Sequence, residues 1–213
     1  MNKVKKNTKI NILLILVLVI FHAVGLVGML FFDRNSFIKL TWLNLLISTV
    51  IAFISYKEKI VSFIIPFFLV VTVTFFVEVI GVKTALLFGH YKYGDVLGLK
   101  LLQVPLLIGF LWLTLSLGAK SIIQRFTRLP SQIVYLFAAL LMVFVDYLIE
   151  PVAIKFGYWT WDYDSVPIFN YVCWFLLAYV NQLFLSKIKS RNNVLEALFL
   201  INVLFFSILN YFL

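Results

Sequence analysis

Seven stretches of this chain run for close to twenty residues with almost no charge: roughly 10–32, 37–56, 60–80, 101–119, 131–150, 167–186 and 194–213. A helix of about 20 apolar residues matches the hydrocarbon thickness of a bilayer. No other feature restricts the fold as strongly. The alternatives fail on composition. Of the 213 residues, 63% are hydrophobic and 13% charged, with a mean hydropathy of +1.06, whereas a soluble domain is about 45–50% apolar and about 25% charged. A globule in water cannot hide that much apolar surface. A soluble enzyme, a secreted disulfide scaffold and a disordered tail are therefore excluded. A β-barrel is excluded too, because barrels show short alternating segments instead of long apolar runs. The fold class expected is all-α: a polytopic integral membrane helical bundle of about seven transmembrane helices, forming one domain over residues 1–213. The first run is too long for the apolar region of a signal peptide and lacks a small-residue cleavage site, so it is expected to be retained.

Orientation follows from the loops. With the N-terminus inside, Lys3, Lys5, Lys6, Lys9, Lys57, Lys59, Lys120, Arg125, Arg128, Lys187, Lys189 and Arg191 all lie on the inner side. The outer loops keep only Arg34, Lys39, Lys83, Lys92, Lys100 and Lys155. This twelve-to-six division of the eighteen basic residues predicts N-inside and C-outside. It also accounts for the net charge of +9 as topology, so no nucleic-acid partner is expected. The single cysteine, Cys173, allows no internal disulfide and reads as core filler.

The outer loops at 81–100 and 151–166 are unlike the plain inner ones. They carry Gly89-His90-Tyr91-Lys92-Tyr93-Gly94-Asp95 and Gly157-Tyr158-Trp159-Thr160-Trp161-Asp162-Tyr163-Asp164. An interfacial aromatic belt explains part of this, but not its concentration on one side. Three acids lie in apolar runs near the same side: Glu78, Asp146 and Glu150. Charge in hydrocarbon is costly, so such acids point to a functional site. Asp146 and Glu150 are four residues apart and share a helix face. A carboxyl group that keeps its proton in an apolar bundle can serve as a general acid. The structural alternative is pairing with Lys83, Lys155 or another outer cation, or, for Glu150, a helix end before Pro151. Glu196 also lies in a run, but beside the basic inner loop, where pairing with Arg191 or a lysine is the simple reading. Asn170 is placed to orient a water or an acid, or to bond between helices. His90 reads as a loop hydrogen-bonding residue and His22 as packing. Gly89, Gly94 and Gly98 form no phosphate cradle, since no strand precedes them; they suit a loop folded tightly against the bundle.

Several chemistries lack their residues. There is no aspartate-rich pair for magnesium diphosphate, no HExxH pair for zinc, and no lysine in the seventh run for a retinal Schiff base. No metal site is expected.

Two blocks carry a resemblance. The first is Phe76-Val77-Glu78-Val79-Ile80-Gly81-Val82-Lys83-Thr84, Phe88-Gly89-His90-Tyr91-Lys92-Tyr93, Leu97-Gly98 and Val104-Pro105. The second is Asp146, Glu150-Pro151, Gly157-Tyr158-Trp159-Thr160-Trp161, Val166-Pro167, Asn170 and Trp174. Together, over roughly 75–180, they resemble the membrane carotenoid-biosynthesis protein family. Its described members include the carotenoid 1,2-hydratase of bacterial myxol-type pathways and the bisanhydrobacterioruberin hydratase of haloarchaea. Ala85 stands where that family usually has Gly, Cys173 where Gly usually precedes the Trp, and Glu150 where Asp often precedes the Pro. The resemblance implies addition of water across the terminal double bond of an acyclic carotenoid end, without a cofactor, in the bacterial cytoplasmic membrane. The long apolar substrate would enter from the bilayer lipid, and other carotenoid enzymes would be neighbours. Glu78, Asp146 and Glu150 would form the acid/base set, with His90, Tyr91, Tyr93, Trp159, Trp161 and Asn170 binding substrate. The alternatives are an end-group cyclase, which also protonates a terminal alkene, and a non-catalytic carotenoid- or lipid-binding protein.

Overall fold

The computed structural model describes residues 2–56, 60–126, 129–162 and 165–213, the side chains of 2–7 and 60–62 excepted. Lys57, Lys59 and Arg128, counted above toward orientation, lie outside the described residues, as do Tyr163 and Asp164 of the second aromatic loop. The elements in order are α1 (Asn2–Phe31), α2 (Arg34–Lys39), α3 (Thr41–Ser55), α4 (Ile60–Thr84), β1 (Tyr91–Tyr93), β2 (Lys100–Leu101), β3 (Val104–Pro105), α5 (Leu107–Phe126), α6 (Ser131–Phe156), β4 (Trp159–Trp161), α7 (Ile168–Phe184), a short 3₁₀ turn (Leu185–Lys187) and α8 (Asn193–Phe212). The chain is an all-α bundle with two short two-stranded ribbons at the loops.

Among the described residues six helices are long and apolar enough to cross a membrane, and the protein is an integral membrane protein. The second expected run differs. Asp33 accepts from the Ser36 backbone N–H and caps the short α2, and only the 15-residue α3 follows. At 1.5 Å per residue α3 is shorter than a straight span of the hydrocarbon core. The fourth run also starts later than expected. Leu102 and Gln103 take left-handed φ values of 52° and 74°, as a two-residue hairpin turn with the type I′ twist requires. They fold β2 onto β3 before α5 begins.

α5 is the central helix. Two thirds of its span (67%) is buried, against 22% for α1, and it packs on α3, α4, α6, α7 and α8. Its polar side chains are satisfied across helices: Lys120 donates to the Leu185 carbonyl at 2.6 Å, and Ser121 donates to Glu196 at 2.7 Å. Glu196 is held by Arg125, with Nη2 at 2.5 Å, in place of the expected Arg191 or a lysine. α5 and α8 are direct packing neighbours, which brings Arg125 to it. The outer faces of α1, α4 and α8 present Leu13, Phe68 and Leu204 as exposed apolar groups, the surface expected against lipid.

α6 does not end at Glu150. It runs through Pro151 to Phe156. Gly157 closes it at φ 68°, its N–H reaching the Ala153 and Ile154 carbonyls, a left-handed C-terminal cap that glycine adopts without steric cost.

Candidate active site

The site is built on β1 and β4. Their sequences, Tyr91-Lys92-Tyr93 and Trp159-Thr160-Trp161, alternate aromatic and polar residues, so in a strand the aromatics share one face. The two strands pair antiparallel, with Tyr91 opposite Trp161 and Tyr93 opposite Trp159. Four aromatic rings thus line one side of a small ribbon, each with a hydrogen-bond donor at its tip. The ribbon closes because Gly94 sits hard against the end of α6. Its N–H donates to the Tyr158 carbonyl at 2.9 Å, and a Cβ at Gly94 would lie 2.0 Å from the Gly157 carbonyl oxygen.

The four donors divide between two carboxyl groups. Tyr91 and Tyr93 donate their hydroxyls to Glu78 Oε2 at 2.5 and 2.9 Å, and Trp112 of α5 donates to Glu78 Oε1 at 3.2 Å. Trp159 and Trp161 donate their indole N–H groups to Glu150 Oε2, both at 2.9 Å. Asn170 of α7 bridges the remaining acid, donating to Asp146 Oδ2 at 2.8 Å and to Glu150 Oε1 at 3.3 Å. Asp146 Oδ1 is buried without a hydrogen-bond partner. All three acids are almost fully buried. Among the described residues none of them pairs with a cation; the expected partner Lys155 instead bonds the Leu213 carbonyl. Burial, reinforced by the charge of Glu78, pushes the Tyr91 and Tyr93 phenols well above their ordinary value.

A cavity of about 30 Å³ lies between the carboxyl groups, lined by Glu78, Glu150, Asn170 and the aromatic rings. That is room for ordered water. Trp112 and Trp174 close it as a stacked pair, ring centroids 4.0 Å apart. The candidate residues Glu78, Glu150, Tyr91, Tyr93, Trp159, Trp161 and Asn170 all line it. Asp146 sits behind Asn170. His90 does not line it: it is exposed in the loop, its ring 4.0 Å from the Asp162 carboxyl. Trp112, Ile108, Leu111 and Ile149 also line the cavity although neither sequence block includes them, and Phe88 of the first block lines it too. The signal available for Trp112 was its indole N–H, which needs a partner once buried in an apolar helix. No group of three or more His, Cys, Asp or Glu suited to a metal occurs among the described residues.

A family model described as carotenoid biosynthesis protein matches residues 39–213. The chain belongs to the carotenoid biosynthesis protein family. The match covers every residue named in the site, and the protein accordingly has a role in carotenoid biosynthesis. No match was found among curated proteins or among solved structures.

Within this carotenoid biosynthesis protein, Ala85 and Cys173, two of the three positions noted above as departures, do not line the cavity themselves. Ala85 holds a left-handed φ of 54°, a conformation that favours glycine. Cys173 is buried, and its Sγ accepts the Phe88 N–H at 3.3 Å. Phe88 is itself at φ 66° and forms part of the cavity wall.

Proposed function

We propose that this protein is a carotenoid hydratase, adding water across the terminal double bond of an acyclic carotenoid end to give a tertiary alcohol. The observation that carries the reading is a water-sized cavity between buried carboxyl groups that have aromatic donors but, among the described residues, no counter-cation. Several uncompensated charges in so small an apolar volume are very costly. At least one of the three acids therefore keeps its proton. A protonated member gives its proton to the less substituted alkene carbon, and the π bond breaks as the new C–H bond forms. The tertiary carbocation left behind faces the rings of Trp112, Trp174, Tyr91 and Trp161 and a carboxylate held by fixed donors. A water beside Glu78 or Glu150 adds to the cation, and its proton returns to a carboxylate. Atoms and charge balance, with only water consumed.

An isoprenoid end is larger than the resting cavity, so its binding spreads the Trp112–Trp174 wall. The substrate reaches the site from the bilayer, which the chain crosses seven times with α3 as the short crossing, the N-terminus inside and the carboxyl end of the bundle outside. The bacterial cytoplasmic membrane is the proposed location. Space for water next to the acids favours hydration over cyclisation, which needs water kept away from the same cation. The test is expression in a host that makes lycopene, with pigment mass measured. A product heavier by one water is expected. A product of unchanged mass and altered absorption would mean cyclisation. Unaltered pigment, with the protein present in the membrane, would contradict both.

A further inference from the structure

A second cavity, of about 170 Å³, lies between α1, α3 and α8. Most of its wall is apolar, including Phe21, Met29, Leu45 and Phe206. Two polar side chains of that wall, His22 and Asn44, face the chamber with acceptor atoms. The His22 ring is buried, and its Nδ1 lies 2.8 Å from the Leu18 carbonyl. A carbonyl only accepts, so Nδ1 carries the hydrogen, and Nε2 of the neutral ring is left as an acceptor. Asn44 Oδ1 is buried with no hydrogen-bond partner. A buried acceptor without a donor is costly, so an apolar residue at position 44 would make a more stable bundle. The unpartnered Asn44 acceptor and the His22 ring in a mostly apolar chamber fit a ligand that brings a hydroxyl group on a hydrocarbon body.

We propose that this cavity binds the hydroxyl-bearing end of an isoprenoid alcohol. The hydroxyl is assigned by His22 and Asn44, and the isoprenoid body by membership of a carotenoid biosynthesis family. Neither depends on which reaction the carboxyl site performs. The two cavities are adjacent in sequence: Tyr158 lines this one, its hydroxyl 3.0 Å from Thr41 Oγ1, while Trp159 lines the other.

The full chain in nanodiscs is titrated with labelled linalool, a tertiary terpene alcohol, against empty nanodiscs. Its dehydrated counterpart myrcene and the straight-chain 1-decanol are the competitors. Saturable binding is expected, with linalool at least about tenfold tighter than myrcene, as loss of a hydrogen bond to a buried acceptor predicts, and tighter than 1-decanol, which keeps a hydroxyl but lacks the branched isoprenoid body. Gly25 lines the cavity, and a Cβ there meets only Phe205, at 3.9 Å. The Cβ of Gly25→Leu therefore has room, the substitution improves helix propensity, and its side chain in the cavity should abolish binding. Asn44→Leu should weaken binding about tenfold while raising thermal stability, whereas a merely structural Asn44 would lower it. Binding no greater than to empty nanodiscs, equal competition by myrcene or decanol, or binding untouched by Gly25→Leu overturns the inference. So does loss of binding in Glu150→Gln with retention in Gly25→Leu, which would place the alcohol at the carboxyl site. A chain that binds linalool here but makes no hydrated pigment keeps this inference and loses the hydration reading.

Discussion

Tyr91 and Trp161 face each other across the β1–β4 ribbon with ring centroids 5.2 Å apart, yet they serve different acids: Tyr91 donates to Glu78 and Trp161 to Glu150. One cross-strand pair therefore sets the relative position of two carboxyl groups that come from different helices. Tyr91→Phe and Trp161→Phe each keep most of the packing and remove one donor to an acid. Each should lower hydration about tenfold to a hundredfold, the worth of a hydrogen bond to a charged group. The double variant should fall short of the product of the two effects, because both act on one arrangement. Pigment conversion per unit of membrane protein measures this.

Gly94 tests whether the ribbon assembles the site. A methyl group there collides with the Gly157 carbonyl at 2.0 Å, and backbone cannot yield as a flexible side chain can. Gly94→Ala should destabilise the protein by about 1–3 kcal/mol and abolish conversion. Tryptophan emission should shift to the red as Trp159 and Trp161 lose their burial and partners. A variant with full activity and unchanged emission would show that this close approach is not needed.

Ala85 and Cys173 make opposite predictions. Ala85 holds a left-handed conformation, so Ala85→Gly should stabilise the chain by about 1 kcal/mol. Cys173→Gly removes the acceptor of the Phe88 N–H and opens space beside the cavity wall, and should destabilise by about 1–3 kcal/mol. Thermal inactivation half-lives in one detergent compare the two directly.

Tyr91, Tyr93 and Tyr158 should resist alkaline titration. Burial raises all three phenols, with the Glu78 charge adding to the effect at Tyr91 and Tyr93; Tyr158 is pushed up to about 12. An ordinary tyrosine ionises near 10. Above that value the unfolded chain releases these protons first, so the folded state binds more. Their contribution to stability is thus complete below about pH 10 and declines as pH rises from there through the folded values. Tyrosinate absorbance should show a group of phenols ionising well above the ordinary value, and Tyr158→Phe should remove one phenol from that late group.

Much of this site was visible in the sequence because its residues are expensive where they stand. Glu78, Asp146 and Glu150 interrupt apolar runs, and Tyr91, Tyr93, Trp159 and Trp161 crowd two loops. The antiparallel register of β1 and β4 was not visible. Three-residue strands carry too little periodicity to distinguish from an interfacial aromatic belt. The hairpin at Leu102 and Gln103 lacks the glycine or asparagine that normally marks such a turn, so the fourth run was expected to begin six residues before α5 does. The helix was expected to stop at Pro151 on local grounds, yet it continues to Gly157, because packing of Val152, Ala153 and Phe156 in the core outweighs one missing hydrogen bond. Trp112 was hidden among the hydrophobic residues of α5, and its role appears only once Glu78 is placed beside it.

The most direct measurement incubates membranes containing the protein with lycopene in heavy-oxygen water and weighs the pigment. The account predicts a product heavier by one labelled water per modified end. It predicts a loss of at least about a hundredfold in Glu150→Gln present at the same level, as expected when a proton-transfer group is removed. A product without labelled oxygen, an isomer of unchanged mass, or full conversion by Glu150→Gln would contradict it.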